Sequence, residues 1–268
     1  MNIAIIPARK RSVRIKNKNI KLFRGKPIIY WSIKTAKKSK IFDKIIVSTD
    51  DKKILKVSKK FGAEVPFLRP KKLSDDKTGI IKVIQHAIKE LDKKKIKFKY
   101  ICCIFATAPL LTEKTIKRGF SKLKQNNLDF VFGASKTSNE CFRSFYFKNK
   151  KLNMLNKKFY KINSQDLPEA YVDVGQFFWG TKSAWKKNKK IFSKNSGVIE
   201  LSKLEACDIN SPDDFKLALK LSKKRFPNEK ILGLYAGILS FREKKFQDSI
   251  KQLNKINFEV ENKIEIKR

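Results

Sequence analysis

A chain of 268 residues with a formal charge of +39 would ordinarily point to a nucleic-acid partner. Its cations, however, are 54 lysines and 10 arginines strewn along the whole length with abundant Ile, Asn and Phe. This is the mark of a codon preference rather than a built basic face, so no specific nucleic-acid partner is expected. The composition also argues against a membrane protein, a secreted protein and histidine chemistry. No apolar run approaches the roughly eighteen residues of a span, and the N-terminal apolar stretch is too short for a leader core, so a cytoplasmic location is expected. Cys102, Cys103, Cys141 and Cys207 have neither paired metal spacing nor the density of a disulfide scaffold. The single histidine, His86, has no partner for a triad or a zinc cluster.

Taken in chain order, residues 2–6 form a short apolar strand that breaks into Pro7-Ala8-Arg9-Lys10-Arg11-Ser12-Val13-Arg14-Ile15-Lys16-Asn17-Lys18-Asn19-Ile20. A loop this cationic at the carboxyl end of a first strand suits a polyanion. Guanidinium and ammonium groups neutralise phosphate oxygens, and backbone N–H groups fill the remaining lone pairs. Nucleoside triphosphate is the natural candidate. Further strands are predicted over 44–48, 63–67, 100–105, 130–134 and 204–209, and helices over 27–38, 52–61, 79–91 and 112–124, with Pro27 in the first turn of its helix. This alternation predicts an α/β fold with a mostly parallel sheet. Its ligand edge would gather the 7–19 loop, Thr49-Asp50-Asp51 and Ala106-Thr107-Ala108-Pro109.

From 140 to 202 the alternation stops. A hairpin over 142–155, turning at Lys148-Asn149-Lys150, and a polar, aromatic segment read as an insertion rather than more sheet, able to lid the pocket or to dimerise. After Pro212-Asp213-Asp214 a helix is predicted over 215–224. Two more apolar-periodic segments, 232–243 and 246–256, resemble one tetratricopeptide-like helical hairpin. A lone unit cannot bury its own apolar face, so it should pack on the main domain, cap it or provide a protein contact. The expected division is a main domain over 1–225 and a helical extension over 226–268.

The first loop, with Ile5-Ile6-Pro7-Ala8-Arg9, Ser12, Arg14, Ile15 and Lys18-Asn19-Ile20, resembles the nucleotide loop of the acylneuraminate cytidylyltransferases, which join a nine-carbon acidic sugar to CMP. The resemblance continues in order through Gly25-Lys26-Pro27, the run from Phe42 to Asp51, the run from Phe61 to Pro70, and Leu73-Ser74-Asp75-Asp76, and it spans roughly residues 1–220. Ala106-Thr107-Ala108-Pro109, Ser164-Gln165-Asp166-Leu167 and the run from Tyr171 to Gly180 are similar to the branch of that family acting on pseudaminic acid.

The resemblance implies a Rossmann-like sheet flanked by helices, of the nucleotide-diphospho-sugar transferase type. It also implies a reaction in which the anomeric hydroxyl of the sugar acid attacks the α-phosphorus of CTP and pyrophosphate leaves, with Mg²⁺ and in a homodimer. By similarity Arg9 and Lys18 carry the catalytic charge stabilisation, and Arg9, Ser12, Arg14, Lys18, Asn19, Arg69 and Thr78 bind the nucleotide. Gln165, Asp166, Tyr171, Asp173 and Gln176 contact the sugar, while Asp208 and Asn210 hold the metal.

Three departures qualify this. Val13 stands where a lysine is common, Asn163 where relatives carry an arginine, with Lys161 as a substitute cation, and Asn210 where a second metal-binding aspartate is usual. Weaker metal affinity is expected from the last. The alternative left open is a noncatalytic nucleotide-binding or scaffolding homologue.

Overall fold

The computed structural model describes residues 1–226. In β1 (Asn2–Pro7), Ile3 and Ile5 point to one side and Ala4 and Ile6 to the other, and all four are fully buried. A strand apolar on both faces must be covered twice, and the rest of the fold supplies the two covers. One is made by α1 (Ile28–Ser39), α2 (Lys52–Lys60) and α4 (Glu113–Gln125), through Ile29, Ile33, Ile54, Ile116 and Leu123. The other is made by α3 (Ile80–Lys93) and α5 (Lys182–Lys186), through Ile84, Ile88, Leu91 and Trp185.

Between these layers lies a six-stranded sheet. It contains β1, β4 (Lys44–Ser48), β5 (Tyr100–Ile104), β6 (Phe130–Thr137), β9 (Ala170–Thr181) and β10 (Ser196–Glu200), in the order β10-β6-β9-β5-β1-β4. β1 runs parallel to β4 and β5, and β10 parallel to β6. β9 lies antiparallel between β5 and β6. The expected mostly parallel α/β sheet is therefore present, with one reversed strand at its middle. Two short ladders stand apart from it, β2 (Leu22–Phe23) with β3 (Lys26–Pro27), and the hairpin β7 (Phe145–Lys148) with β8 (Lys151–Met154).

Three expectations need correction. The 140–202 segment expected to stand outside the sheet supplies two of its strands, β9 and β10. Phe177 and Trp179 fill one core and Phe178 the other, so this strand is apolar without alternation, and its polar start from Tyr171 to Gln176 masked it. The segment 63–67 makes one isolated bridge to β4, Ile46 with Glu64, and a second isolated bridge, Thr49 with Leu68, lies just beyond both. Pro66 and Pro70 lack the N–H that a regular ladder requires.

The segment 204–209 is unpaired, the sheet edge being taken by β10. It still alternates, with Cys207 and Ile209 buried in a third cluster beside Ile15, Phe23 and Trp31. That cluster ties the first loop to α6 (Pro212–Arg225) through Phe215 and Ala218. The helices expected over 232–243 and 246–256 lie outside the described residues.

Candidate active site

The first loop leaves β1 under several local constraints. The Lys10 N–H donates to Asp50 Oδ1 at 2.8 Å, which pins the loop to the end of β4. Asn19 Nδ2 donates to the Arg9 carbonyl at 2.9 Å and closes the loop at its base. Asn17 takes the left-handed conformation (φ 53°) that turns the chain into the short 3-10 helix Lys18–Ile20, and buried Ile15 anchors the loop in the third cluster.

The loop walls a cavity of about 640 Å³ at the carboxyl edge of the sheet, a volume suited to a nucleotide. All seven residues expected to bind nucleotide, Arg9, Ser12, Arg14, Lys18, Asn19, Arg69 and Thr78, line it together with Asn210. Ala106 and Thr107, at the end of β5, line it as well.

Arg69 is delivered by its N–H bond to the Thr49 carbonyl, at 2.8 Å. Its side chain is buried, and Nε and Nη2 find no partner among the described residues. Two orphaned cationic donors in a cavity wall call for an anion or a carbonyl. Burial lowers the pKa of Arg69, Asp50 opposing and Arg9 adding. Burial likewise lowers that of Lys18, against the pull of Asp208 and Asp214 and with the push of Arg14 and Arg9. A phosphate would relieve both groups.

The 71–83 segment also walls the cavity, and beyond Thr78 the sequence reading gave its residues no role in the site. Arg9 Nη2 pairs with Asp76 Oδ1 at 2.6 Å, and Nη1 donates to the Asp75 carbonyl. Asp75 accepts the Thr78 and Lys77 N–H groups in a tight turn, and hydrogen bonding from Thr78 holds its carboxyl below the ordinary range. The adjacent acidic pair before a Thr-Gly helix start was the available signal.

None of the five expected sugar contacts lines the cavity. Gln165 and Asp166 are exposed on the 3-10 turn Ser164–Asp166, and Tyr171 is exposed with its hydroxyl on Glu169 Oε2 at 3.2 Å. Gln176 is buried; its Nε2 donates to the Glu205 carbonyl, and its Oε1 is unpartnered. Asp173 Oδ1 accepts the Gly175 N–H at 3.0 Å. Burial raises the Asp173 pKa, that hydrogen bond opposing and the charge of Asp208 adding. Where a cation was expected near Asn163, Arg143 reaches the same turn and donates to Ser164 Oγ and the Ile162 carbonyl.

For the metal, Mg²⁺ takes one or two carboxylates alongside phosphate oxygens. The exposed carboxylate of Asp208 fits that demand and is cradled by Gly175 (φ 56°), where a Cβ would stand 2.8 Å from its Cγ. Among the described residues no group of three or more His, Cys, Asp or Glu could hold a metal ion. The same residues include no helix long and apolar enough to cross a membrane.

A helix-flanked sheet with a cationic loop, a buried unpartnered arginine and one cradled carboxylate on the same edge defines a nucleotide-handling α/β enzyme. Comparison narrows the class. Residues 3–268 match the family model described as cytidylyltransferase, and the chain belongs to that family. It is 42% identical over 223 residues to a pseudaminic acid cytidylyltransferase of Campylobacter jejuni, covering 83% of this chain and 96% of the relative. It is 26% identical over 231 residues to a CMP-N,N'-diacetyllegionaminic acid synthase of Legionella pneumophila, covering 82% and 95%.

The fold is also that of a CMP:2-keto-3-deoxy-manno-octonic acid synthetase solved in complex with CTP. The match has a TM-score of 0.64 and covers 83% of this chain and 98% of that one, at 13% identity. The chain is thus a nucleotidyltransferase, and the noncatalytic alternative is not favoured.

Proposed function

We propose that the chain activates pseudaminic acid with CTP. The anomeric oxygen of the sugar forms a bond to the α-phosphorus, the bond from that phosphorus to the β-phosphate oxygen breaks, and CMP-sugar, pyrophosphate and a proton result. The observation that carries the reading is the convergence of Arg9, Arg14, Lys18 and Arg69 on one cavity, with two Arg69 donors left without partners. In-line displacement needs little covalent help from a protein, so positioning and charge stabilisation are the tasks to be filled.

Arg9 and Lys18 hold the triphosphate and stabilise the charge that grows on the leaving group. Ser12, Arg14, Asn19, Arg69 and Thr78 complete the nucleotide contacts. Asp208 would hold Mg²⁺, which would supply further charge neutralisation. CTP use goes with a cytoplasmic location.

Support for pseudaminic acid comes from the 42% identical relative and from the run Tyr171-Val172-Asp173-Val174-Gly175-Gln176. Gln165, Asp166, Tyr171, Asp173 and Gln176 are assigned to the sugar. We also propose that two copies pair through the outer segment, which exposes Phe145, Phe147, Leu152, Leu155 and Tyr160. Such pairing would give Gln165 and Asp166 a route to the partner's cavity.

The test is pyrophosphate release from CTP and Mg²⁺ with pseudaminic, legionaminic and N-acetylneuraminic acids in parallel. Release with pseudaminic acid alone, lost in Arg9→Ala, is expected. Release with another of the three would reassign the sugar, and release with none would overturn the reading.

A further inference from the structure

We infer that Asn210 is a positioning residue and not a metal ligand, and that Asp208 is the only side chain of the 208–210 segment that meets the metal. The inference rests on the proposed metal-assisted use of CTP. Asp208 and Asn210 share one side of an extended segment because Cys207 and Ile209, between and beside them, are buried.

The backbone of Asn210 is fixed by the start of α6. Its N–H donates to Asp214 Oδ2 at 2.9 Å, within a capping box formed by Ser211 and Asp214. Its amide is then fixed by two hydrogen bonds. Oδ1 accepts from Arg14 Nη2 at 2.7 Å, and Nδ2 donates to Asp208 Oδ2 at 2.5 Å.

Chemistry permits only this orientation. A guanidinium only donates and a carboxylate only accepts, so turning the amide would set N–H against N–H and oxygen against oxygen. The amide oxygen therefore faces the Arg14 guanidinium, whose positive charge disfavours a second cation on the same oxygen. An aspartate at 210 could keep the Arg14 bond but would oppose one carboxylate with another, an arrangement that a cation stabilises. Asparagine satisfies both neighbours without an ion. It holds Arg14 and Asp208 in place while leaving the free protein a single acidic ligand, so metal should enter with the triphosphate.

The test is Mn²⁺ binding to the full chain without nucleotide, read from the electron paramagnetic resonance signal of the free ion, a readout independent of turnover. Wild type and Asn210→Ala should bind Mn²⁺ equally, within about twofold, and Asn210→Asp should bind roughly tenfold or more tightly. Asn210→Ala should nevertheless raise KM for CTP several-fold through release of Arg14. Asn210→Leu, of similar volume, provides the same comparison if the alanine variant does not fold. A tenfold loss of Mn²⁺ affinity in Asn210→Ala or Asn210→Leu would make Asn210 a ligand and overturn the inference. Absence of turnover with every sugar, with the Mn²⁺ pattern intact, would instead count against the proposed function alone.

Discussion

The cavity wall and the outer segment are built on opposite principles. The wall is tied at every turn: Lys10 to Asp50, Asn19 to the Arg9 carbonyl, Arg14 through Asn210 to Asp208, and Ile15 into a buried cluster. The β7–β8 hairpin and the turns after it instead expose Phe145, Phe147, Leu152, Leu155 and Tyr160, and Gln165 and Asp166 do not reach the cavity. One chain preorganises the nucleotide half of its site, where charge must be placed in advance of the reaction. The outer segment instead presents an apolar surface that no other described element covers.

The largest effect should come from the wall itself. Arg9→Ala should lower kcat/KM for CTP by roughly 10²–10³-fold in steady-state assays, since it removes a charge-assisted phosphate contact. Similar kinetics in wild type and variant would remove the wall's central group from the account. Next comes Trp179→Ala at the middle of β9, which should cost about 3–5 kcal/mol in denaturant unfolding, whereas Phe147→Ser on the hairpin should cost less than about 0.5 kcal/mol at concentrations low enough to keep the copies apart. Equal costs would erase the distinction between sheet and arm.

Gly175→Ala should cost about 1–2 kcal/mol through its positive φ. Its Cβ would also meet the Asp208 carboxylate at 2.8 Å, so the Mg²⁺ concentration needed for half-maximal rate should rise. An unchanged Mg²⁺ requirement would separate the cradle from the metal.

The smallest effect is a pH dependence. Burial sets the Lys18 pKa below the 10.5 of a free lysine. Between the two values the unfolded chain binds more protons than the folded one, so this group's contribution to stability rises with pH across that window. Triphosphate favours the ammonium form, so CTP affinity should fall as pH rises through the depressed value, with proton uptake on binding. Lys18→Arg, which stays charged, should flatten that fall. An identical slope in the variant would mean that another group titrates.

Much of this was legible in the sequence because local chemistry and tertiary role coincide. The apolar run before Pro7 announced β1, the order Arg9, Ser12, Arg14, Lys18, Asn19 announced the loop, and all of them line one cavity. What escaped notice was nonlocal. β9 begins as Tyr171-Val172-Asp173 and gains its apolar character only from Phe177 onward, so its place between β5 and β6 was hidden by the polar half. The approach of Asp76 to Arg9, 67 positions away, follows from α3 starting beside the first loop, which no periodicity encodes. The role of Asn210 depended on two partners, one of them 196 residues away.

On the proposed function, a single chain preforms its nucleotide site without help from the outer hairpin. Calorimetric titration of CTP with Mg²⁺, in the absence of sugar, into wild type, Arg9→Ala and Phe147→Ser tests it most directly. Wild type and Phe147→Ser should bind CTP equally, and Arg9→Ala should bind it roughly tenfold or more weakly. Weakened CTP binding in the hairpin variant, with Arg9→Ala unaffected, would contradict it.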